Sequence, residues 1–446
     1  MKFYIHKLGC PKNDVDADYI SARLVDDGHE SVSDPLEAES IIVNTCGFIL
    51  PAREESINEI LRLGQLKKSD RRVQMYATGC LSQRYGDELL TEIPELDGAF
   101  GLGELDSLAK AVTGSAQLDR SVRTDAHRLD YLAGERRFIG DDLPYAYLKI
   151  SDGCNRGCTY CAIPAIRGRY RSRSVDDIVR EAEYLSAHGK RELILVSQEA
   201  TLYGQDLQGR PNIIDLLREL DRIERVRWIR LMYLHPARLD DDLIEYVTGD
   251  NKTLGCFDLP LQHANTEMLT AMGRGTDRAG IERLLSNIRQ VCPDAVLRTT
   301  FILGFPGETD DRFQELVDFV SEQRFDRLGA YTYSLEEGTI AATMADQVPE
   351  AVKAKRLDEL MELQREIAWE RNEDLIGSVQ EVIIDSRPDD GPAVGRTRGD
   401  CPEVDQEVYV HGEGPGVGRI VRVRIESADG FDLHASLCEG ERHDTT

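Results

Sequence analysis

Between Tyr145 and Ser334 the sequence passes through six short apolar or β-branched runs: Tyr145–Ser151, Arg191–Ser197, Arg227–His235, Phe257–Leu261, Val296–Gly304 and Leu328–Ser334. Helical stretches separate them. Strands that alternate with helices are joined by crossovers, so their sheet is parallel. Six such units in succession predict a partial barrel, not the closed eightfold form. Ligands of such sheets sit outside the C-terminal ends of the strands. A long helix is expected after the last strand. Pro349 stands near its start, Leu357, Leu360, Met361, Leu363 and Ile367 form its apolar stripe, and Gly377 stops it.

The preceding region, to about residue 130, follows the same logic on a smaller scale. Lys2–Lys7, Ser40–Asn44 and Arg72–Ala77 read as buried strands, with helical patterns at Val15–Asp27 and Arg53–Leu66. Cys10, Cys46 and Cys80 each fall just past a strand, 36 and 34 residues apart, about one βαβ unit each. Three distant cysteines should therefore converge on one sheet edge. The polar segment 119–142 reads as a linker. After Gly377 the pattern changes to short strands punctuated by Gly and Pro: Val379–Ile384, Glu407–His411, Arg419–Glu426 and Asp432–Leu437. That is the pattern of a small all-β barrel, with Gly412–Gly418 as a hairpin turn. The expected fold class is α/β in three domains: an open parallel α/β domain over 1–130, a partial (β/α)6 barrel over 140–376 and a small β barrel over 377–446.

The strongest chemical signal is Cys154-Asn-Arg-Gly-Cys158-Thr-Tyr160-Cys161. It follows the first barrel strand and so lies at the barrel mouth. Thiolates are soft ligands, and this spacing lets one loop clasp a metal centre. A structural zinc site wants four ligands, and no fourth is evident. A cubane cluster held by three cysteines leaves one iron open. The cluster is the favoured reading, with zinc and inert buried thiols as the alternatives.

A CxxxCxxC loop with an aromatic before its last cysteine resembles the radical S-adenosylmethionine (SAM) superfamily. The segments LGC10PKN, NTC46GF, TGC80L, Leu259-Pro-Leu-Gln-His263 and Arg298-Thr-Thr-Phe-Ile-Leu-Gly-Phe-Pro-Gly-Glu308 are similar to its methylthiotransferase branch. So is the C-terminal region, which looks like a TRAM domain. The resemblance implies two [4Fe-4S] clusters. Cys154, Cys158 and Cys161 would hold the one that binds and reductively cleaves SAM. Cys10, Cys46 and Cys80 would hold a second that carries the sulfur to be inserted. It also implies SAM contacts at Tyr160, Gln198, Glu199, Gln262, Arg298 and Gly304. The sequence departs from the family at Glu199, where Asp is usual, and at Ala200, where Thr is usual. Cys256, Cys292, Cys401 and Cys438 are isolated and expected to be structural. His263 is expected to be a structural hydrogen-bonder. Arg167, Arg169, Arg171 and Arg173 form a basic run with two open readings, a grip on an acidic ligand or an ordinary solvated face.

Two substrates compete within that branch, a transfer-RNA adenosine and an aspartate β-carbon of small-subunit ribosomal protein twelve. LGC10PKN and NTC46GFI resemble the ribosomal-protein branch. Charge supports it independently. The chain carries 54 Lys and Arg against 81 Asp and Glu, a net charge of −27. The C-terminal region has seven basic residues against fifteen acidic ones. A barrel built to grip phosphates should be basic, so nucleic acid is not the expected direct substrate, and an acidic barrel suits a basic protein. The target could be met free or on the ribosome, and a reductant and a sulfur donor are required partners. No apolar run approaches the roughly 20 residues of a membrane span, and the N-terminus lacks a signal-peptide core. The expected compartment is the cytoplasm, where the ten cysteines stay free or bind metal.

Overall fold

The computed structural model describes residues 1–69, 72–114, 121–124, 137–412 and 415–438. Strands β1 (Lys2–Lys7), β2 (Glu30–Ser31), β3 (Ser40–Thr45), β4 (Gln74–Gly79), β5 (Gly98–Phe100) and β6 (Ser121–Arg123) make one parallel sheet, ordered β2-β1-β3-β4-β5-β6. Every residue of β3 is buried, as expected of a central parallel strand covered on both faces. β4 starts two residues later than the sequence pattern suggests, so Cys80 directly opens the next helix. β6 lies inside the expected linker, where Val122 pairs with Ala99 and extends the sheet. Residues 115–120 and 125–136 of that segment lie outside the described residues.

The next strands are β7 (Tyr145–Lys149), β8 (Ser151–Asp152), β9 (Arg171–Ser172), β10 (Glu192–Val196), β11 (Trp228–Leu231), β12 (Cys256–Gln262), β13 (Val296–Leu303) and β14 (Arg327–Thr332). The six expected barrel strands form two parallel ladders, β7-β10-β11 and β12-β13-β14. The ladders meet where Leu234 N–H donates to the Asp258 carbonyl at 2.9 Å and Tyr233 N–H to Asp258 Oδ2 at 2.8 Å. β8 and β9 are a short antiparallel pair that clamps the two ends of the cysteine loop. The Glu350–Leu375 helix packs on β14, burying Leu360 and Ile367 as its apolar stripe requires.

The C-terminal strands are β15 (Val379–Ser386), β16 (Ala393–Thr397), β17 (Val408–His411), β18 (Ile420–Asp429) and β19 (Asp432–Leu437). They close into a five-stranded barrel, ordered β15-β16-β17-β19-β18. Along β18, Val421, Val423 and Ile425 point inward while Arg422 and Arg424 face out, the period-two pattern of a half-buried strand. The sequence pattern misses β16, whose Gly395 and Arg396 break that alternation. The hairpin turn expected at Gly412–Gly418 is not one either. β17 and β18 are not neighbours, so this run is a crossing connection; its residues 413 and 414 lie outside the described residues.

Buried ion pairs join the three parts. Glu192, the first residue of β10, accepts from Arg230 and from Arg396 of the C-terminal barrel, each at 2.8 Å. Arg327 donates to Asp400 at 2.9 Å. The C-terminal barrel thus sits at the strand ends remote from the cysteine loop. On the open side of the partial barrel, the Pro11–Asp26 helix lies against β7. There Asp16 pairs with Lys149, and Tyr19 Oη donates to Glu181 at 2.8 Å. Among the described residues no helix is long and apolar enough to cross a membrane.

Candidate functional site

The loop after β8 carries Cys154, Cys158 and Cys161, all free and partly exposed thiols. It is pinned from several sides. Cys154 N–H donates to the Gly168 carbonyl at 3.1 Å, and Thr159 N–H to the Met272 carbonyl at 3.1 Å. Gly273 has φ +72°, and a Cβ there would stand 2.7 Å from the Gly157 carbonyl oxygen, so only glycine allows this approach. Arg156 and Glu199 form a bidentate pair, with both contacts at 2.6 Å. Arg274 reaches Cys158 Sγ at 3.5 Å and Tyr160 Oη at 3.4 Å. Sequence reasoning assigns Arg274 no role, since it lies 113 positions from Cys161 with no periodicity to flag it. Burial pushes the Cys161 thiol up to about 12 and raises that of Cys154.

Cys10, Cys46 and Cys80 stand at the C-terminal ends of β1, β3 and β4, as the βαβ spacing predicts. Asn13, fully buried, ties their loops together. Its Nδ2 donates to the Leu8 carbonyl at 2.9 Å and the Thr45 carbonyl at 3.1 Å; its Oδ1 accepts from Cys80 Sγ at 3.7 Å and from Arg167 at 2.7 Å. Glycines bring the loops close: a Cβ on Gly9 would sit 2.8 Å from Cys46 Cβ, and one on Gly47 would sit 2.6 Å from Leu81 Cα. Burial pushes Cys46 up to about 12 and raises Cys80.

The basic run resolves into neither open reading at its ends. Arg167 and Arg173 are buried. Arg167 donates to both Asp152 oxygens at 3.1 Å and to Cys80 Sγ at 3.3 Å, so one guanidinium ties Cys80 to the strand that precedes the other cysteine loop. Burial opposes the ionisation of Asp152, but Arg167 and Lys149 outweigh it and hold the carboxyl at about 2. Arg173 pairs with Asp177 and Glu181. Lys12 is also nearly buried, with Nζ 3.7 Å over the Tyr233 ring at the barrel mouth.

The other expected contact residues scatter. Gln198 Nε2 donates to Asp152 at 3.0 Å, and its Oε1 is buried with no hydrogen-bond partner among the described residues. Gln262 ends β12 in the left-handed region at φ +76°, a conformation that costs a non-glycine residue about 1 kcal/mol or more. Gly304 follows β13, where a Cβ would collide with Lys353 at 2.2 Å. Tyr160 meets Phe305 edge-on. Arg298 is not brought to the mouth: it lies early in β13 and grips Asp405 at 2.6 Å. His263 is fully buried, with Nδ1 accepting from Ala264 and Asn265 N–H and Nε2 facing Glu308 at 3.2 Å, the structural role expected of it.

Both cysteine trios fit an iron–sulfur cluster by donor chemistry. Each offers three thiols without disulfides on glycine-cradled loops. Among the described residues no three His, Cys, Asp or Glu side chains are grouped closely enough to chelate a single metal ion. A cluster takes its thiolates on separate irons. A separate polar cleft of about 210 Å³, lined by residues including Lys7, Asp14, Asp18, Arg137, Tyr147 and Glu403, holds no cysteine.

A partial parallel barrel with three cysteines on its first mouth loop defines the radical SAM class, and that superfamily's model matches residues 148–320. The uncharacterized protein family UPF0004 matches residues 2–101, and the TRAM domain residues 376–438. A relative from Desulfitobacterium hafniense, named ribosomal protein uS12 methylthiotransferase RimO, is 43% identical over 98% of this chain and 99% of its own length. Relatives of the same name from Clostridioides difficile and Thermosipho africanus are each 42% identical, over 97% and 98% of this chain and 98% and 100% of their own. The chain belongs to the RimO family of radical SAM methylthiotransferases, enzymes that transfer a methylthio group. Among solved structures, the radical SAM methyltransferase TsrM from Kitasatospora setae, with cobalamin and a [4Fe-4S] cluster bound, shares the fold at TM-score 0.55 and 17% identity. The match covers 85% of this chain and 80% of that one.

Proposed function

We propose that this enzyme adds a methylthio group to the β-carbon of an aspartate on small-subunit ribosomal protein twelve, using two [4Fe-4S] clusters and two SAM molecules. Cys154, Cys158 and Cys161 would hold the SAM-binding cluster and Cys10, Cys46 and Cys80 the sulfur-carrying one. When bound, these groups supply the electron, the hydrogen-abstracting radical and the sulfur that acid–base side chains cannot. The chain's own residues build the frame. Arg156–Glu199 and Arg274 fix the first loop, Asn13 fixes the second trio, and Arg167 holds the two in one register. Tyr160, Gln198, Gln262 and Gly304 are proposed SAM contacts at the mouth. Arg298 and Glu199 are proposed to act by positioning, since each is paired with protein. The domains are read as 1–130, 140–376 and 377–446.

The observation that supports this reading is Arg167, whose guanidinium meets Cys80 of one trio and Asp152, two residues before Cys154 of the other, within a chain that shares more than 40% identity over nearly full length with uS12 methylthiotransferases. The ribosomal substrate implies a cytoplasmic enzyme that draws on a separate reductant and sulfur donor. The alternative, a tRNA adenosine, is disfavoured by the acidic C-terminal barrel. Intact mass of small-subunit ribosomal proteins, from cells with and without the gene, tests the proposal. A methylthio-sized increment on protein twelve is expected only with the gene. Its absence, with a methylthio-adenosine lost from tRNA in the deletion, would establish the alternative.

A further inference from the structure

Lys12 is a buried lysine with no direct ion-pair partner among the described residues; Asp152 and Asp258 act on it only at longer range. It sits in the first turn of the Pro11–Asp26 helix, and only 7% of the residue is exposed. Among the described residues no carboxylate or hydrogen-bond acceptor is paired directly with its Nζ, which stands 3.7 Å from the centre of the Tyr233 ring. A cation–π contact compensates only part of the cost of holding a cation out of water. Neighbouring buried cations do better: Lys149 pairs with Asp16, Arg167 with Asp152 and Arg173 with Glu181. Lys12 alone of this group is left open, and it is the one at the barrel mouth, two residues from Cys10.

The surface beneath it is held in a strained shape. Tyr233 follows β11 at φ +62°, a left-handed conformation uncommon for an aromatic residue. Two bonds lock it there: its N–H donates to Asp258 Oδ2 at 2.8 Å, and its carbonyl accepts from Ala200 N–H at 3.1 Å. Strain of this kind persists where surrounding structure over-determines it, and such residues cluster at ligand clamps. The backbone of Tyr233 is thus fixed where its ring meets the Lys12 ammonium group.

We propose that Lys12 is the receptor for the side-chain carboxylate of the aspartate that is modified, an assignment that rests on the ribosomal-protein reading above. The chemistry is one anion for one cation. The β-carbon is bonded directly to that carboxyl carbon, so gripping the carboxylate fixes the reacting carbon one bond away, beside Cys10 and below the cysteine loop. Such fixation is what orientation contributes to a reaction between separate groups. An adenine base offers no carboxylate, so the same lysine selects against the nucleic-acid alternative.

The test uses the reconstituted holoenzyme and ribosomal protein twelve carrying either Asp or Asn at the modified position. Wild type should bind the Asp form about ten- to a hundredfold more tightly, the range of a charge-assisted hydrogen bond. Lys12→Met, which keeps the apolar stem, should bring that ratio near one by weakening only the Asp form, and Lys12→Arg should restore part of it. The KM for the protein should rise in Lys12→Met far more than the KM for SAM. An Asp-to-Asn ratio unchanged in Lys12→Met overturns the assignment, as does a rise in the SAM KM alone, which would make the carboxylate that of SAM. If the wild type modifies no form of the protein, the ribosomal-protein reading falls and takes the assignment with it.

Discussion

Replacing Asn13 by Ala should loosen the N-terminal cysteine site. The side chain is fully buried and makes two neutral hydrogen bonds, to the Leu8 and Thr45 carbonyls, and one charge-assisted bond, from Arg167. Neutral bonds contribute about 1 kcal/mol each and a bond to a charged group about 1.5–3 kcal/mol. The loss is therefore about 4 kcal/mol, a large share of the roughly 5–15 kcal/mol that holds a domain together. It falls on the loops that set the spacing of Cys10, Cys46 and Cys80. Urea unfolding of the iron-free protein would read the stability loss, and iron content after reconstitution should fall to about half, from the two proposed four-iron clusters to one. Asn13→Asp is the sharper control. It keeps an acceptor for Arg167 but turns two donor contacts into repulsion between a carboxylate and carbonyl oxygens. If Asn13→Asp kept full iron and lost less than about 1 kcal/mol, the Arg167 contact alone would organise the site, and the two carbonyl bonds would have no part in holding the loops.

The cysteine trios should separate by assay. Ala at Cys154, Cys158 or Cys161 should abolish reductive SAM cleavage, whereas Ala at Cys10, Cys46 or Cys80 should spare it and stop sulfur insertion; equal loss of 5′-deoxyadenosine in both sets would contradict the division. Gly79→Ala should destabilise the sheet end and lower iron uptake, because Gly79 has φ +94° and a Cβ there would stand 2.5 Å from the Thr45 carbonyl oxygen; unchanged melting would remove the steric argument. The iron-free protein should lose stability at both pH extremes. Burial holds protons on Cys46, Cys161 and Cys401 to about 12, while the unfolded chain releases them near about 8.5. Above that pH the unfolded state binds fewer protons, so stability falls as pH rises. Burial lowers His235 to about 2, so below about 6.5 the unfolded state binds the extra proton and stability falls with pH. Unfolding midpoints measured from about pH 4 to 11, a range that enters both windows from neutral pH, check both arms, and His235→Gln should flatten the acid one.

Much of this architecture is legible in the residues. Apolar strand runs followed by a cysteine place Cys10, Cys46 and Cys80 on one sheet edge, and the six barrel strands emerge within a few residues of their expected bounds. Strand-end logic is local, and local patterning carries it. What escapes is everything that depends on a partner far away in sequence. Arg167 and Arg173 read as either a ligand grip or a solvated basic run, because charge patterning cannot see Asp152, Cys80 or Glu181 closing over them. Arg298 sits in a motif that resembles a SAM contact, yet Asp405, 107 residues later, takes its guanidinium. β6 and β16 are too short and too polar to register against their surroundings, and pairing with a formed neighbour makes them strands. Asn13 and Lys12 stand in LGC10PKN, but nothing in the motif separates a residue that ties loops together from one that waits for an anion.

The guanidinium between the two cysteine sites also sets an order of events in the life of the chain. Cys80 leaves the ribosome 87 residues before Arg167 does, and Asp152, its other partner, lies between them. During synthesis the N-terminal loops therefore emerge as thiols without the cation that will later face them. Their final geometry arrives only when the barrel has been made and has docked along the Pro11–Asp26 helix. On the proposed assignment, iron loading of the N-terminal trio is expected to follow that docking.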